Sequence, residues 1–190
     1  PGIAPVSFSD RARHKISNRR PTVQSWFLDM NLLMGYGGQG TRRASHHPAP
    51  VNAMYALHEA LMMVHEEGIE NAWERHRRNH LALKAGLEAM GIRFIVDEPH
   101  RLPQLNAIAI PEGVDDAAVR QRLLGEHHLE IGAGLGDLAG KVWRIGLMGY
   151  SSRIENITLC LAALDGVLAD INAPVNHGVA LPAAEKILAA

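Results

Sequence analysis

At 190 residues and 47% hydrophobic content the chain is long enough to bury a core, which excludes a disordered tail and fits one domain or one and a half. A formal charge of -1 and a pI near 7.0 lack the positive excess that nucleic acid or a membrane surface selects for, so small-molecule chemistry is the better expectation. Cys160 is the single cysteine, which rules out a disulfide framework or thiolate metal cluster. No apolar run approaches the roughly 20 residues of a membrane span, and a cytoplasmic location is expected.

The chain opens Pro1-Gly2 without a methionine, and sequence upstream is expected to be missing. Its first fifty residues alternate apolar pieces with Pro and Gly breakers, a pattern that seldom folds alone. Ser9-Asp10 is suited to cap a short helix through Ile16, whose Arg11, Arg13 and Lys15, with Arg19 and Arg20 beyond, read as a solvated face. A second apolar stretch covers 26–36. From Val51, Met54, Leu57, Leu61 and Val64 keep helical spacing and predict one buried helix up to Gly68.

The same spacing resumes in Ile69, Trp73, His76, His80, Leu83, Leu87 and Met90, with Gly91 at a natural C-terminal cap. His76 and His80 stand four apart, as two metal ligands do, but no third ligand is near and both read as partly buried structural histidines. Two strand-like runs follow at 92–96 and 105–110, expected to pair. Asp115 predicts a capped helix to about Leu124, closed by Gly125, and 129–131 and 142–147 read as strands around a glycine-rich loop. Ser152 and Glu155 form a capping box for a last long helix, with Ile154, Ile157, Leu161, Leu164, Leu168 and Ile171 on one face. Connections this short exclude a large parallel sheet and predict a compact α/β or α+β domain over 69–171. A tail at 172–190 carries a short helix, and residues 1–68 read as one end of a larger domain.

The glycine loop, GAGLG followed by Asp137, departs from the GxGxxG fingerprint and precedes a strand, so nucleotide binding is rejected there. The paired acids Glu66-Glu67 and Asp115-Asp116 lie at helix ends, where capping and the helix dipole account for them. Arg144 is different. It interrupts the apolar run Val142-Trp143-Arg144-Ile145-Gly146-Leu147, where period two puts Val142, Arg144 and Gly146 on one face and the bulky residues on the other. Its guanidinium needs a partner, either an internal acid or, in the space beside Gly146, the carboxylate of a small ligand.

The segment GKVWRIGLMGY at 140–150, with EIGAGLG before it and SSRIEN after it, resembles the C-terminal signature of class V aminotransferases of the alanine:glyoxylate and serine:glyoxylate (serine:pyruvate) type. PGIAPVSFSDRA, SWFLDM, HHPAPVNAMYALHEAL, EEGIENAWERH and LEAMG follow in family order, so the resemblance covers nearly the whole chain. It implies the C-terminal part of a fold-type-I subunit that holds pyridoxal phosphate on a lysine and works as a homodimer on an amino acid and a 2-oxo acid. On that reading 1–68 is the end of the large cofactor domain with the dimer-contact loop, and 69–171 is the small C-terminal domain.

The resemblance also implies that Arg144, in the RIG motif, binds the substrate carboxylate. None of Lys15, Lys84, Lys141 and Lys186 has the Ser-Gln-Lys context of the cofactor lysine, so the chain alone is expected to be inactive. The family's Tyr-His-His-Thr loop reaches the neighbouring subunit's cofactor phosphate; here it reads Ser45-His46-His47-Pro48. Both contacting types are changed, since Ser45 still has a hydroxyl but Pro48 has no donor. Alanine or serine is the expected donor to glyoxylate. Ureidoglycine is the alternative, because its enzymes share the WRIG and MGYS segments but carry Asn at the position of Ser45. A non-catalytic domain that binds a carboxylate or oligomerises is the reading from another class.

Overall fold

The computed structural model describes residues 2–37 and 46–189, which divide into two units, 1–66 and 67–190. In the first unit, helix α1 (Asp10–Ser17) starts where the Ser9 hydroxyl accepts the Ala12 N–H at 3.3 Å, as its sequence predicts. The short helix α2 (Met30–Leu33) is capped by Asp29, and α3 (Val51–Glu67) follows. The expectation of a buried α3 does not hold: the helix has no buried residue, and Met54, Leu61 and Val64 are all exposed. An apolar spacing states which face of a helix seeks a partner, and no described residue covers this one.

The second unit contains α4 (Ile69–Ala89), β1 (Leu105–Ala109), α5 (Asp116–His127), β2 (Gly132–Ala133), β3 (Val142–Gly146), α6 (Ile154–Asp170) and α7 (Ala180–Leu188). Its sheet is antiparallel throughout, in the order β1-β3-β2. The run at 92–96 joins through a bridge from Phe94 to Ile108, with Ile95 N–H donating to Ala107 O at 3.1 Å. Pairing on β2 falls on Gly132 and Ala133 rather than on 129–131, because the ladder running back from Val142 meets those residues first.

Period two governs β3 as expected. Trp143, Ile145 and Leu147 point into one cluster with Leu83 and Leu87 of α4 and Leu161, Leu164 and Leu168 of α6. Trp143 is fully buried, and its indole N–H donates to Asp116 at 3.0 Å. Asp116 also pairs with Arg120, whose guanidinium holds that carboxyl below the usual range, while the neighbouring Asp115 caps α5 through Ala118 N–H. The paired acids therefore do two different jobs.

Two boundary readings are corrected. Helix α5 runs past Gly125 to His127 and is closed by His128 in the left-handed region at φ 53°. Helix α6 is preceded by Arg153 with no side-chain cap, because Ser152 is fully buried and accepts from Asn79 Nδ2 at 3.0 Å. The short helix expected in the tail forms as α7, and its Ala180 and Ala184 are buried in the main cluster.

On α4, His80 is buried with Nδ1 2.7 Å from Asn106 Oδ1 on the inner face of β1. An amide oxygen only accepts, so Nδ1 donates. Burial, acting against that hydrogen bond, lowers the His80 pKa. The folded state thus binds this proton more weakly than the unfolded chain. His80's contribution to stability is complete above the unfolded pKa of about 6.5 and is lost progressively as pH falls below it. The expected outcome is a thermal midpoint that drops between pH 7.5 and 5.5, and a shallower drop in His80→Asn; equal slopes in thermal melts would contradict this assignment.

Candidate functional site

Arg144 stands on the outer face of the central strand, opposite Ala107 of β1 and Gly132 of β2. Directly opposed residues share a face, so small residues flank it on both sides. The side chain is half-buried, and its Nε–H donates to Ala133 O at 2.7 Å. Among the described residues no carboxylate pairs with it, so the internal-acid explanation for its place finds no partner. Two positions further along the strand, the nearest atom to a methyl group added at Gly146 would be Met148 Cε, 3.7 Å away. Among the described residues the terminal nitrogens of the guanidinium have no hydrogen-bond partner, and open space lies beside them.

The loop after β3 is held from α4. His76 Nδ1 lies 2.6 Å from Ala72 O, which requires a proton on Nδ1, and Nε2 then accepts the Gly149 N–H at 3.0 Å. Arg75 donates from Nη1 to Gly149 O at 3.0 Å and Ser152 O at 2.8 Å, while its Nε and Nη2 clasp Glu67 at 2.5 and 2.8 Å. That fork holds the Glu67 carboxyl below the usual carboxylate range. Neighbouring residues of one helix therefore bind both polar groups of Gly149. Sequence reading found the histidines but missed this clamp, because its partners at Gly149 and Ser152 are main-chain groups more than seventy positions away.

The glycine loop has a structural reason. A Cβ at Gly134 would lie 1.9 Å from Leu138 O, so the turn closes only over a residue without a side chain.

Of the residues expected near a cofactor phosphate, Ser45 lies outside the described residues. His46 Nε2 is 2.8 Å from Trp26 O and its ring stands 3.9 Å from the Trp26 ring, while the His47 ring lies 5.0 Å from Phe27. His46 thus spends one ring nitrogen on the main chain. Lys84 pairs with Glu98 at 2.5 Å, and Lys15, Lys141 and Lys186 are exposed. The four lysines are thus paired with an acid or open to solvent. Pyridoxal phosphate added to the isolated chain is expected to give no visible absorbance band that survives gel filtration. A surviving band that disappears on mutating one of the four lysines would contradict this.

No family model matches the chain. It is 39% identical over 202 residues to the (S)-ureidoglycine–glyoxylate transaminase of Bacillus subtilis, covering 96% of this chain and 48% of that protein. It is 40% identical over 166 residues to the alanine–glyoxylate aminotransferase of Callithrix jacchus, covering 86% and 40%. The crystal structure of the ureidoglycine-glyoxylate aminotransferase from Bacillus subtilis superposes with a TM-score of 0.89 over 97% of this chain and 47% of its own. That of the alanine–glyoxylate aminotransferase from Nostoc sp., 49% identical, superposes with a TM-score of 0.78 over 85% and 42%. The chain spans less than half the length of each of these relatives. Its sequence and fold place it with the C-terminal portions of class V aminotransferases, the pyridoxal-phosphate enzymes of the alanine:glyoxylate and ureidoglycine:glyoxylate kind.

Proposed function

We propose that the subunit containing this chain transfers an amino group from alanine or serine to glyoxylate or a similar 2-oxo acid, and that Arg144 receives the substrate carboxylate. The observation that carries this reading is the guanidinium itself, bound at Nε by Ala133 O and with no acid beside it among the described residues. A planar fork held at one nitrogen keeps two donors for a bidentate carboxylate. The amino acid and the keto acid both carry that group, so one arginine orients both half-reactions. Pyridoxal phosphate, when bound, supplies the electron sink for chemistry at the substrate α-carbon. The part of this chain is to bind and orient: Arg144 fixes the carboxylate, and Arg75 and His76 fix the loop that follows its strand.

A homodimer in which Ser45, His46 and His47 approach the partner's cofactor phosphate, and a cytoplasmic location, belong to the same proposal. Ureidoglycine is the second reading for the donor, favoured by the 0.89 superposition on an enzyme named for it. Comparing alanine, serine and ureidoglycine as donors to glyoxylate separates the two.

Lysine at 144 keeps the charge but loses the fork. In the full-length subunit Arg144→Lys is expected to raise KM for both amino acid and keto acid, with cofactor loading unchanged. The loss in kcat/KM should be on the order of 2 to 4 kcal/mol, roughly 30-fold to 1,000-fold. An unchanged KM together with a lower thermal midpoint would mean that Arg144 serves the fold.

A further inference from the structure

We infer that Gly132 is a positioning residue for Arg144: its missing side chain is the floor on which the guanidinium lies. This rests on Arg144 being the carboxylate-binding group. Gly132 pairs directly with Arg144 across the β2–β3 ladder, and the next residue, Ala133, supplies the carbonyl that accepts from Nε at 2.7 Å. A Cβ built on Gly132 would lie 3.3 Å from Nη2 and 3.4 Å from both Nε and Cβ of Arg144. All three close contacts are therefore with one side chain.

The backbone gives no other reason for a glycine. Gly132 is absent from the glycines with positive φ and sits in a strand, where any L-residue is accommodated and glycine is the poorer choice. Gly134, two positions on, makes the contrast: there the obstacle is the Leu138 carbonyl at 1.9 Å, a main-chain atom that cannot swing away. At Gly132 the three nearest atoms all belong to the arginine side chain. A methyl group would press on Nη2 and oblige the guanidinium to give by a few tenths of an ångström, enough to disturb the bond to Ala133 O and the direction of the terminal nitrogens. Dipeptide 132–133 thus acts on both sides of the guanidinium, with a carbonyl to hold it and a bare Cα to admit it.

The test is Gly132→Ala in the full-length, cofactor-loaded subunit, beside Arg144→Lys and the double variant, with kcat and KM for alanine and glyoxylate and the thermal midpoint measured for each. The expected result for Gly132→Ala is a KM for both substrates raised on the order of 10-fold, kcat within about twofold of wild type, and a thermal midpoint unchanged or raised, since alanine at a compatible φ restricts the unfolded chain. The double variant should bind substrate no worse than Arg144→Lys alone, because the glycine acts only through the arginine. A normal KM in Gly132→Ala beside a raised one in Arg144→Lys overturns this inference and leaves the carboxylate reading standing. A lowered midpoint with lost kcat makes Gly132 a requirement of the fold and also overturns it. An unchanged KM in Arg144→Lys removes both.

Discussion

The burial of Trp143, Ile145 and Leu147 against the helices is the constraint on which the placing of Arg144 depends, and the hydrogen bond from its Nε to Ala133 O then fixes its direction. A guanidinium cannot enter the apolar cluster, and on a fully solvated surface it would have no fixed direction. Strand β3 resolves this by dividing its faces. Trp143, Ile145 and Leu147 are buried against the helices, and their burial holds the strand's register; Arg144 then has only the outer face to occupy. The carbonyl of the neighbouring strand fixes its orientation. Direction, rather than charge alone, is what recognition of a planar carboxylate requires.

The helices serve this strand from the other side. Asp116 on α5 accepts a hydrogen bond from the Trp143 indole N–H, Asn106 on β1 links His80 of α4 to the Ile145 carbonyl at 3.3 Å, and Arg75 and His76 hold the loop that leaves β3. Each of these buried or half-buried polar groups has its partner, which is the condition for placing them near a core at all. The two histidines with metal-like spacing are thus explained by hydrogen bonds to an amide side chain and to main-chain groups.

Much of this was legible in the sequence because it depends on local rules. Period two sorted β3 correctly, three-four spacing found α4 and α6, and Ser9 and Asp115 announced their helices. What failed did so where a distant residue decides the outcome. Ser152 and Glu155 match a capping box letter for letter, yet the Ser152 hydroxyl goes to Asn79, 73 positions away. The apolar spacing of α3 names a face without naming what covers it. Arg144 stood out as a lone charge in an apolar strand, but Gly132 looked like one more glycine in a loop. Its meaning appears only once the ladder sets it opposite Arg144. The proposed role of Arg144 in binding a carboxylate came from the motif resemblance, which periodicity could not supply.

The central claim is that Arg144 binds a carboxylate by geometry as well as charge, and inhibition by a simple unreactive carboxylate measures that most directly. In the full-length subunit, acetate or propionate should compete with glyoxylate, and Arg144→Lys should raise the inhibition constant by about 10-fold or more. An inhibition constant unchanged by the substitution would contradict the account.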